Sequence, residues 1–373
     1  MPRHLVVGAG FAGSMAAYTL AKNGSDVVVL ERKTRLEKPW WTTGAISREA
    51  LAEVGILDKI PSSCVASDLR GFHLIFPGDV SWEFDYGVTV GHILYPGEFY
   101  EWLASMAEQE GARYRLGSEY RPGVESADYI IGADGFTSSV AKYHFPDEQV
   151  PEQDVHVGYE EHVELDSVDR SKFYLYFGWG VAPQGYAWVF PTKEGAKVGF
   201  GVPVSLCKRI DIRKILDRFL KLYPQYAGKP LSREGGLIPT CMPRRKMVNK
   251  NVLLVGDAAR FVDPLTGAGI RNALLSGHRA AKSVLANRPD LYPEYMMPVR
   301  REMRYRFFLK RLFYRLNDEE MSGLAYCLKG VPPEEPRIIK VFKCFGKGLL
   351  HRPRVLSTLR HMVAEAHWLA YQL

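Results

Sequence analysis

The chain has 373 residues, enough for two or three domains with shared cores. It is 46% hydrophobic and 24% charged, which is ordinary for a globular protein, and holds no run of 18 apolar residues that could span a membrane. Its five cysteines (Cys64, Cys207, Cys241, Cys327 and Cys344) are scattered without a CxxC pair. That pattern argues against a metal site or a disulfide framework and for a reducing, cytoplasmic setting, although Cys327 and Cys344 could pair. The net charge of +7 is regional: residues 299–373 hold 15 Lys/Arg against 7 Asp/Glu, a local +8, and the remainder sums to −1. Aromatic residues reach 12%, which suits either a cavity with flat apolar walls or an aromatic core.

The first predicted strand, His4–Val7, begins almost at Met1, which leaves no room for a leader. It runs into Gly8-Ala9-Gly10-Phe11-Ala12-Gly13, a GxGxxG. A small-residue helix over Ser14–Lys22 and a second buried strand, Val27–Glu31, follow. In a dinucleotide βαβ unit Gly8 makes the tight turn and Gly10 admits a pyrophosphate to the backbone. Gly13, with Ala12 beside it, lets the helix pack close. Glu31, with Arg32 next to it, takes the ribose hydroxyls.

Past the loop Lys38–Gly44, the sequence predicts a helix over Ser47–Val54. Alternation then predicts antiparallel strands at Phe72–Phe76, Val80–Phe84 and Gly91–Tyr95, with a helix over Glu98–Gln109. Ala127–Ile131 returns to the buried-strand style and leads into Gly132-Ala133-Asp134-Gly135. Residues 155–201 are again strand-like and aromatic, and Ile210–Leu222 is an amphipathic helix. Asn251–Val255 is a third buried strand, followed by Gly256-Asp257 and a Pro- and Gly-rich turn from Asp263 to Ile270. A helix over Arg271–Leu285 completes that unit. The turn offers backbone N–H groups and the positive end of a helix.

Two styles therefore interleave, and the expected fold class is α/β plus antiparallel β. A discontinuous Rossmann-like nucleotide domain (1–70, 98–150 and 245–290) is interrupted by an antiparallel-sheet substrate domain (71–97 and 151–244). A C-terminal helical segment (291–373) follows.

The ordered series of GxGxxG with Glu31, then Gly132–Gly135, then Gly256-Asp257 resembles the FAD-binding fold of the para-hydroxybenzoate hydroxylase class of flavoproteins. The resemblance implies FAD as cofactor, with its pyrophosphate on the first glycine cluster. It implies that Asp134 and Gly135 brace the flavin site and that Asp257 bonds the ribityl chain. Gly267, Ala268, Gly269 and Ile270 would lie at the N1–C2=O edge of the isoalloxazine.

A narrower stretch runs Tyr186-Ala187-Trp188-Val189-Phe190-Pro191, then Gly199-Phe200-Gly201. It resembles the YxWxFP…GxG signature of the geranylgeranyl reductase family, whose members hydrogenate isolated C=C bonds of isoprenoid chains. On a strand Tyr186, Trp188 and Phe190 share one face, an aromatic wall suited to hydrocarbon, and Gly199 and Gly201 leave the neighbouring strand bare. An ordinary core strand meets the same alternation. The chain departs from the family pattern in three places. Thr43-Gly44 stands where a Cys-Gly pair is common, so Gly44 alone is carried over to the flavin site. Tyr95-Pro96 stands where related flavoproteins place an Arg, and the GDAA run ends in Arg260.

The resemblance implies an FAD-dependent reductase of an isoprenoid lipid or quinone. Tyr186 is the one candidate for proton donation, by position only, and no metal is expected. Electrons would come from NAD(P)H, ferredoxin or another reduced carrier, since no second nucleotide fingerprint is present. The alternatives are an FAD-dependent monooxygenase or halogenase acting on an aromatic, and a flavin-holding binding protein at a membrane. Residues 299–316 place Met303, Phe307, Phe308, Leu312 and Leu316 at helical spacing among seven Lys/Arg, and Val355–Leu373 is a second such helix. Both suit a peripheral contact with an anionic membrane surface, or packing of both apolar faces on the protein's own core. No nucleic-acid module accompanies the basic charge.

Overall fold

The computed structural model describes residues 3–36, 42–78, 80–125 and 127–328. The first third runs β1 (Arg3–Val7), α1 (Phe11–Lys22), β2 (Asp26–Glu31), β3 (Ala45–Ser47), α2 (Arg48–Glu53), β4 (Val65–Leu69), β5 (Gly71–Phe76), β6 (Val80–Asp85), β7 (Gly91–Leu94) and α3 (Pro96–Gln109). The middle holds β8 (Arg113–Leu116), β9 (Tyr129–Gly132), α4 (Ser139–His144), β10 (His156–Glu164), β11 (Lys172–Tyr176), β12 (Tyr186–Pro191), β13 (Gly195–Pro203), α5 (Arg213–Leu222) and β14 (Lys229–Ile238). Then come β15 (Val248–Asn249), β16 (Val252–Leu254), α6 (Ile270–Leu285), α7 (Leu291–Tyr295), α8 (Met297–Phe313) and α9 (Asp318–Leu328).

The chain divides into two compact units. One comprises the described residues up to Leu69, then Thr89–Tyr159 and Glu234–Phe308. The other comprises Arg70–Val88, Glu160–Arg233 and the described residues from Leu309 on. The first unit is built on a sheet ordered β15-β16-β9-β1-β2-β8. Its central strands β16, β9, β1, β2 and β8 are mutually parallel. All but the exposed edge strand β8 are short, largely apolar and buried, as a sheet covered on both faces requires. Helix α1 is buried nearly all round, so it is a core helix rather than an amphipathic one. Its small residues let α6 cross it closely: a Cβ on Gly277 would meet the Ala12 carbonyl oxygen at 2.1 Å.

The second sheet is ordered β14-β10-β13-β12-β11-β5-β6. The expected antiparallel sheet contains one parallel pair that the sequence did not indicate: β11 runs beside β5 from Lys172↔Gly71 to Tyr176↔Ile75. The β5–β6 hairpin and the β11–β12–β13 meander are separated by a long excursion of chain, which supplies the crossover that a parallel pair needs. The third expected strand, Gly91–Tyr95, also belongs elsewhere. It is β7, buried at every position, and it pairs with β3 and β4 in a separate three-stranded sheet of the first unit.

The C-terminal helical segment does not stand apart. Met296, Val299 and Met303 lie in the main hydrophobic core, while Leu312, Leu316 and Met321 are buried further on. The helix expected to continue to Leu316 ends at Phe313, and α9 restarts at Asp318. The restart is fixed by a reciprocal cap: the Asn317 N–H donates to Glu320 Oε2 (3.0 Å) and the Glu320 N–H to Asn317 Oδ1 (2.9 Å). The expected helix at Val355–Leu373, Cys344, the side chain of Cys327, and Lys38–Trp41 lie outside the described residues. Among the described residues no helix is long and apolar enough to cross a membrane, and Cys64, Cys207 and Cys241 are in no disulfide.

Candidate cofactor site and aromatic face

The register of the parallel sheet places three distant motifs at one level. Val7 pairs with Leu30 and with Gly132, and Gly132 pairs with Leu254. Each strand therefore releases its loop at the same carboxyl edge: Gly8–Gly13 after β1, Ala133–Gly135 after β9, and Gly256-Asp257 after β16. Chain order reverses between β1 and β9, and such a switch point opens a crevice at that edge.

The glycines at this edge fall into two kinds. A Cβ on Gly8 (φ +98°) would meet the Ala133 carbonyl oxygen at 2.4 Å, and one on Gly13 would meet the Gly8 oxygen at 1.9 Å. These two are required by backbone contact within the fold. A Cβ on Gly10 would meet nothing within 4 Å. Its bareness serves no internal contact and leaves backbone open to a ligand at the start of α1, whose N-cap makes no side-chain hydrogen bond. Gly256 (φ +54°) would press a Cβ onto that of Ala12 at 2.9 Å, which accounts for the small residue at position 12. Gly44 (φ +88°) faces the Leu94 carbonyl oxygen at 2.2 Å, so its need for glycine comes from packing on β7.

The three acids differ in what they hold. Glu31 is buried, and its two oxygens accept from the backbone N–H groups of Ala9 (2.8 Å) and Lys33 (3.0 Å). It thus ties the fingerprint loop to the end of β2, and each oxygen keeps one further lone pair. Arg32 beside it is exposed. Asp134 accepts from the Ser138 hydroxyl (2.5 Å) and from the N–H groups of Ser139 (2.6 Å) and Val140 (3.2 Å), so it caps α4 and stiffens the loop against Gly8. Asp257 is different. It is half-buried, its carboxylate accepts no hydrogen bond from the described residues, and desolvation pushes it up to about 6. Its Oδ1 lies 3.8 Å from where a Gly269 Cβ would be, beside the start of α6, which has no side-chain cap. An orphan carboxylate next to an uncapped helix end awaits polar partners.

The turn before α6 spends some of its own donors. Asp263 Oδ1 accepts from the N–H groups of Leu265 (3.0 Å) and Thr266 (2.9 Å), and its carbonyl accepts from Gly267 (2.8 Å). The Ala268 N–H makes a long bond to the Thr266 hydroxyl (3.4 Å). The donors facing outward are therefore those of Gly269, Ile270 and the first turn of α6 rather than the whole stretch from Thr266. Arg306 of α8 holds Asp263 Oδ2 (2.5 Å) and so buttresses the turn from behind. Arg260, at the position that breaks the GDAAG pattern, is left-handed (φ 62°) and offsets that strain by bonding the carbonyl and carboxylate of Glu148. Cys64 is buried with its thiol pushed up to about 11 by desolvation, which keeps it protonated at neutral pH.

In the second unit the β12–β13 pairing sets Tyr186 opposite Gly201, Trp188 opposite Gly199 and Phe190 opposite Lys197. Tyr186, Trp188 and Phe190 thus share one sheet face with the two glycines, and Pro191 ends the strand opposite Ala196. The face is larger than the sequence motif. Leu175 pairs with Trp188 and Leu74, Phe173 pairs with Phe72, and Phe72 and Leu74 pair with Phe84 and Trp82. Rings run across it in contact: Phe84 with Phe72 (5.9 Å), Phe72 with Phe173 (5.9 Å), and Phe173 with Phe190 (5.3 Å). On β5, β6 and β11 these residues are only partly buried, and Phe313 of α8 covers the Phe76–Phe177 end of the face. The opposite face is covered, with Tyr176 packed on Phe219 of α5. Sequence reading missed the contribution of β5, β6 and β11. The alternation Phe72/Leu74/Phe76 and Val80/Trp82/Phe84 was a signal for it, but the pairing of β5 with β11 was not.

Comparison with known proteins agrees with both halves. Residues 6–36 match the NAD(P)-binding Rossmann-like domain, and residues 154–238 match the geranylgeranyl reductase catalytic domain. The chain is 33% identical over 300 residues to digeranylgeranylglycerophospholipid reductase 1 of Methanopyrus kandleri, covering 74% of this chain and 79% of that one. It is 28% identical over 394 residues to the digeranylgeranylglycerophospholipid reductase of Methanosphaerula palustris, covering 95% and 96%. The crystal structure of a geranylgeranyl bacteriochlorophyll reductase-like protein from Thermoplasma acidophilum superposes with a TM-score of 0.85 at 25% identity, over 97% of this chain and 99% of that one. The flavin-dependent halogenase CmlS shares the fold, with a TM-score of 0.67 at 18% identity, over 95% of this chain and 71% of that one.

Asp257 carries a testable cost. Because burial raises it, the folded cofactor-free protein keeps its proton between about pH 4 and 6, where the unfolded chain has released it. The folded state therefore loses stability as pH rises through that window. Asp257→Asn is expected to stabilise the cofactor-free protein by about 1–2 kcal/mol at pH 8 and to change little at pH 4. Denaturant melts at the two pH values check this, and equal effects at both would contradict it.

Proposed function

The chain belongs to the geranylgeranyl reductase family of oxidoreductases, and on that footing we propose that it binds FAD at the carboxyl edge of the first unit's sheet and saturates isolated C=C bonds of a geranylgeranyl or related isoprenoid chain. The substrate we favour is a membrane lipid, with an isoprenoid quinone of the same chain chemistry as the other candidate. Reduced FAD, when bound, supplies a hydride equivalent to one alkene carbon.

The chain's own residues supply the rest. Gly10 and the start of α1 would take the pyrophosphate, and the spare lone pairs of Glu31 the ribose hydroxyls, with Arg32 beside them. Asp257 would accept from the ribityl hydroxyls, which gives its orphaned carboxylate partners. The N–H groups at Gly269 and Ile270 would stabilise negative charge on the reduced ring, with Gly267 and Ala268 shaping the approach. The isoprenoid would lie along the aromatic face of Tyr186, Trp188 and Phe190, with Gly199 and Gly201 letting the Trp188 ring lie flat against β13, and water is excluded there. Tyr186 has a hydroxyl on that face and is the candidate to pass a proton to the second alkene carbon.

The observation that carries the reading is that face. Twelve positions on five strands present rings, aliphatic chains or glycines in one plane: Phe72, Leu74, Phe76, Trp82, Phe84, Phe173, Leu175, Tyr186, Trp188, Phe190, Gly199 and Gly201. A flexible hydrocarbon of several isoprene units needs extended apolar area of this kind, whereas one aromatic ring does not.

Photoreduced holoenzyme mixed anaerobically with a digeranylgeranyl phospholipid tests the proposal. The expected result is flavin reoxidation with one double bond lost per reduced flavin, read by absorbance and by a mass gain of two hydrogens. No reoxidation until oxygen enters, with hydroxylation or halogenation of an aromatic instead, would reverse the reading.

The electron donor would be NAD(P)H, ferredoxin or another reduced carrier. Contact with an anionic bilayer would be electrostatic. Met303, Leu312 and Leu316 of the basic stretch are buried, while Arg301, Arg304, Arg311 and Arg315 are exposed. Co-sedimentation with anionic vesicles should therefore disappear at high salt, and salt-insensitive binding would contradict a contact made by charge alone.

A further inference from the structure

The aromatic face contains a polar cluster that the proposed reaction does not use. Trp188 Nε1 donates to Glu160 Oε2 at 2.9 Å, and Lys197 Nζ lies 3.5 Å from Glu160 Oε1. The side chains of Glu160 and Lys197 are 6% and 5% exposed, and Trp188 is 6% exposed. Glu160 Oε1 is buried with no hydrogen-bond partner. The indole leans across β13, where a Cβ on Gly201 would come within 3.4 Å of its Cζ3 atom. The glycine strand therefore seats this ring, and Glu160 on β10 catches its far end.

Such an arrangement is a poor way to gain stability. Taking two charges out of water offsets most of their attraction, and apolar residues of similar volume commonly serve as well or better. An indole N–H is satisfied by any neutral acceptor. What a charged acceptor adds is direction and strength: it holds the ring in one orientation.

We propose that Glu160, backed by Lys197, is a positioning residue that locks the Trp188 indole and thereby fixes the width of the hydrocarbon path, so that chain selection depends on it. This rests on the reading of the aromatic face as the isoprenoid site.

Two double variants isolate the effect without leaving a buried charge alone. Glu160→Leu/Lys197→Met removes the acceptor, and Glu160→Gln/Lys197→Met keeps a neutral one. Each is compared with wild type in FAD retention, thermal melting, Trp188 fluorescence anisotropy (taken as the difference from the same protein carrying Trp188→Phe), and the ratio of kcat/KM for geranylgeranyl over farnesyl lipid. The Leu/Met protein is expected to melt and retain FAD as wild type does, to lose anisotropy at Trp188, and to lose roughly tenfold of its chain discrimination, the scale set by a change in fit of a methylene or more. The Gln/Met protein is expected to recover both. Wild-type anisotropy and discrimination in the Leu/Met protein would overturn the proposal, as would loss of both in the Gln/Met protein. If wild-type holoenzyme reduces neither chain, the isoprenoid reading fails instead, and Trp188 anisotropy in the same variants still decides whether Glu160 locks the ring.

Discussion

Close approaches at bare glycines hold the first unit together, and the rest of its structure depends on them. Gly8 lies against Ala133, Gly13 against Gly8, Gly256 against Ala12, and Gly277 against the Ala12 carbonyl. A methyl group at any of the four would collide with a neighbour. Because these contacts hold, α1 sits tight between the sheet and α6, and the ends of β1, β9 and β16 come to one level. That level brings Gly10, Asp134 and Asp257 together although more than 240 residues separate the first from the last. The ligand edge follows from packing density in the core beneath it.

Much of this edge was legible in the sequence because its signals are local. A strand, a glycine turn and a helix start each lie within a few residues, and three such units in order imply one parallel sheet. What the acids do was less legible. Glu31 reads as a ribose partner, yet its oxygens also hold the Ala9 and Lys33 N–H groups, since a buried carboxylate beside a tight turn finds backbone donors first. Asp134 reads as a brace of the flavin site, and in the structure its carboxylate is spent on capping α4. Gly44 reads as a cofactor glycine, while its bare Cα is demanded by β7. Sequence spacing gives the need for glycine or acid at a position but not which neighbour imposes it.

The second unit was legible only in part for a different reason. Tyr186–Pro191 and Gly199–Gly201 form a hairpin, and hairpin register is short-range. The parallel pairing of β5 with β11 joins segments about a hundred residues apart, and no local pattern encodes it. With it the wall grows from one strand to five. The basic helix α8 left two readings open in the sequence, a membrane face or the protein's own core. Its periodicity is real, but the apolar side is taken up by the protein's own core, as Met303 shows.

The fold is shared with flavin-dependent halogenases, so the fold by itself does not decide a reaction. The reaction class turns on what the aromatic face accepts. The most direct measurement is photo-cross-linking of the holoenzyme with a geranylgeranyl lipid carrying a benzophenone at the end of its chain, with the labelled residues mapped by mass spectrometry. Labels on the β5–β6 hairpin and on β11 and β12, around Trp82, Phe173 and Trp188, are predicted. Labels confined to other surfaces, or labelling unaffected by unlabelled lipid in excess, would contradict the assignment of this face to an isoprenoid chain.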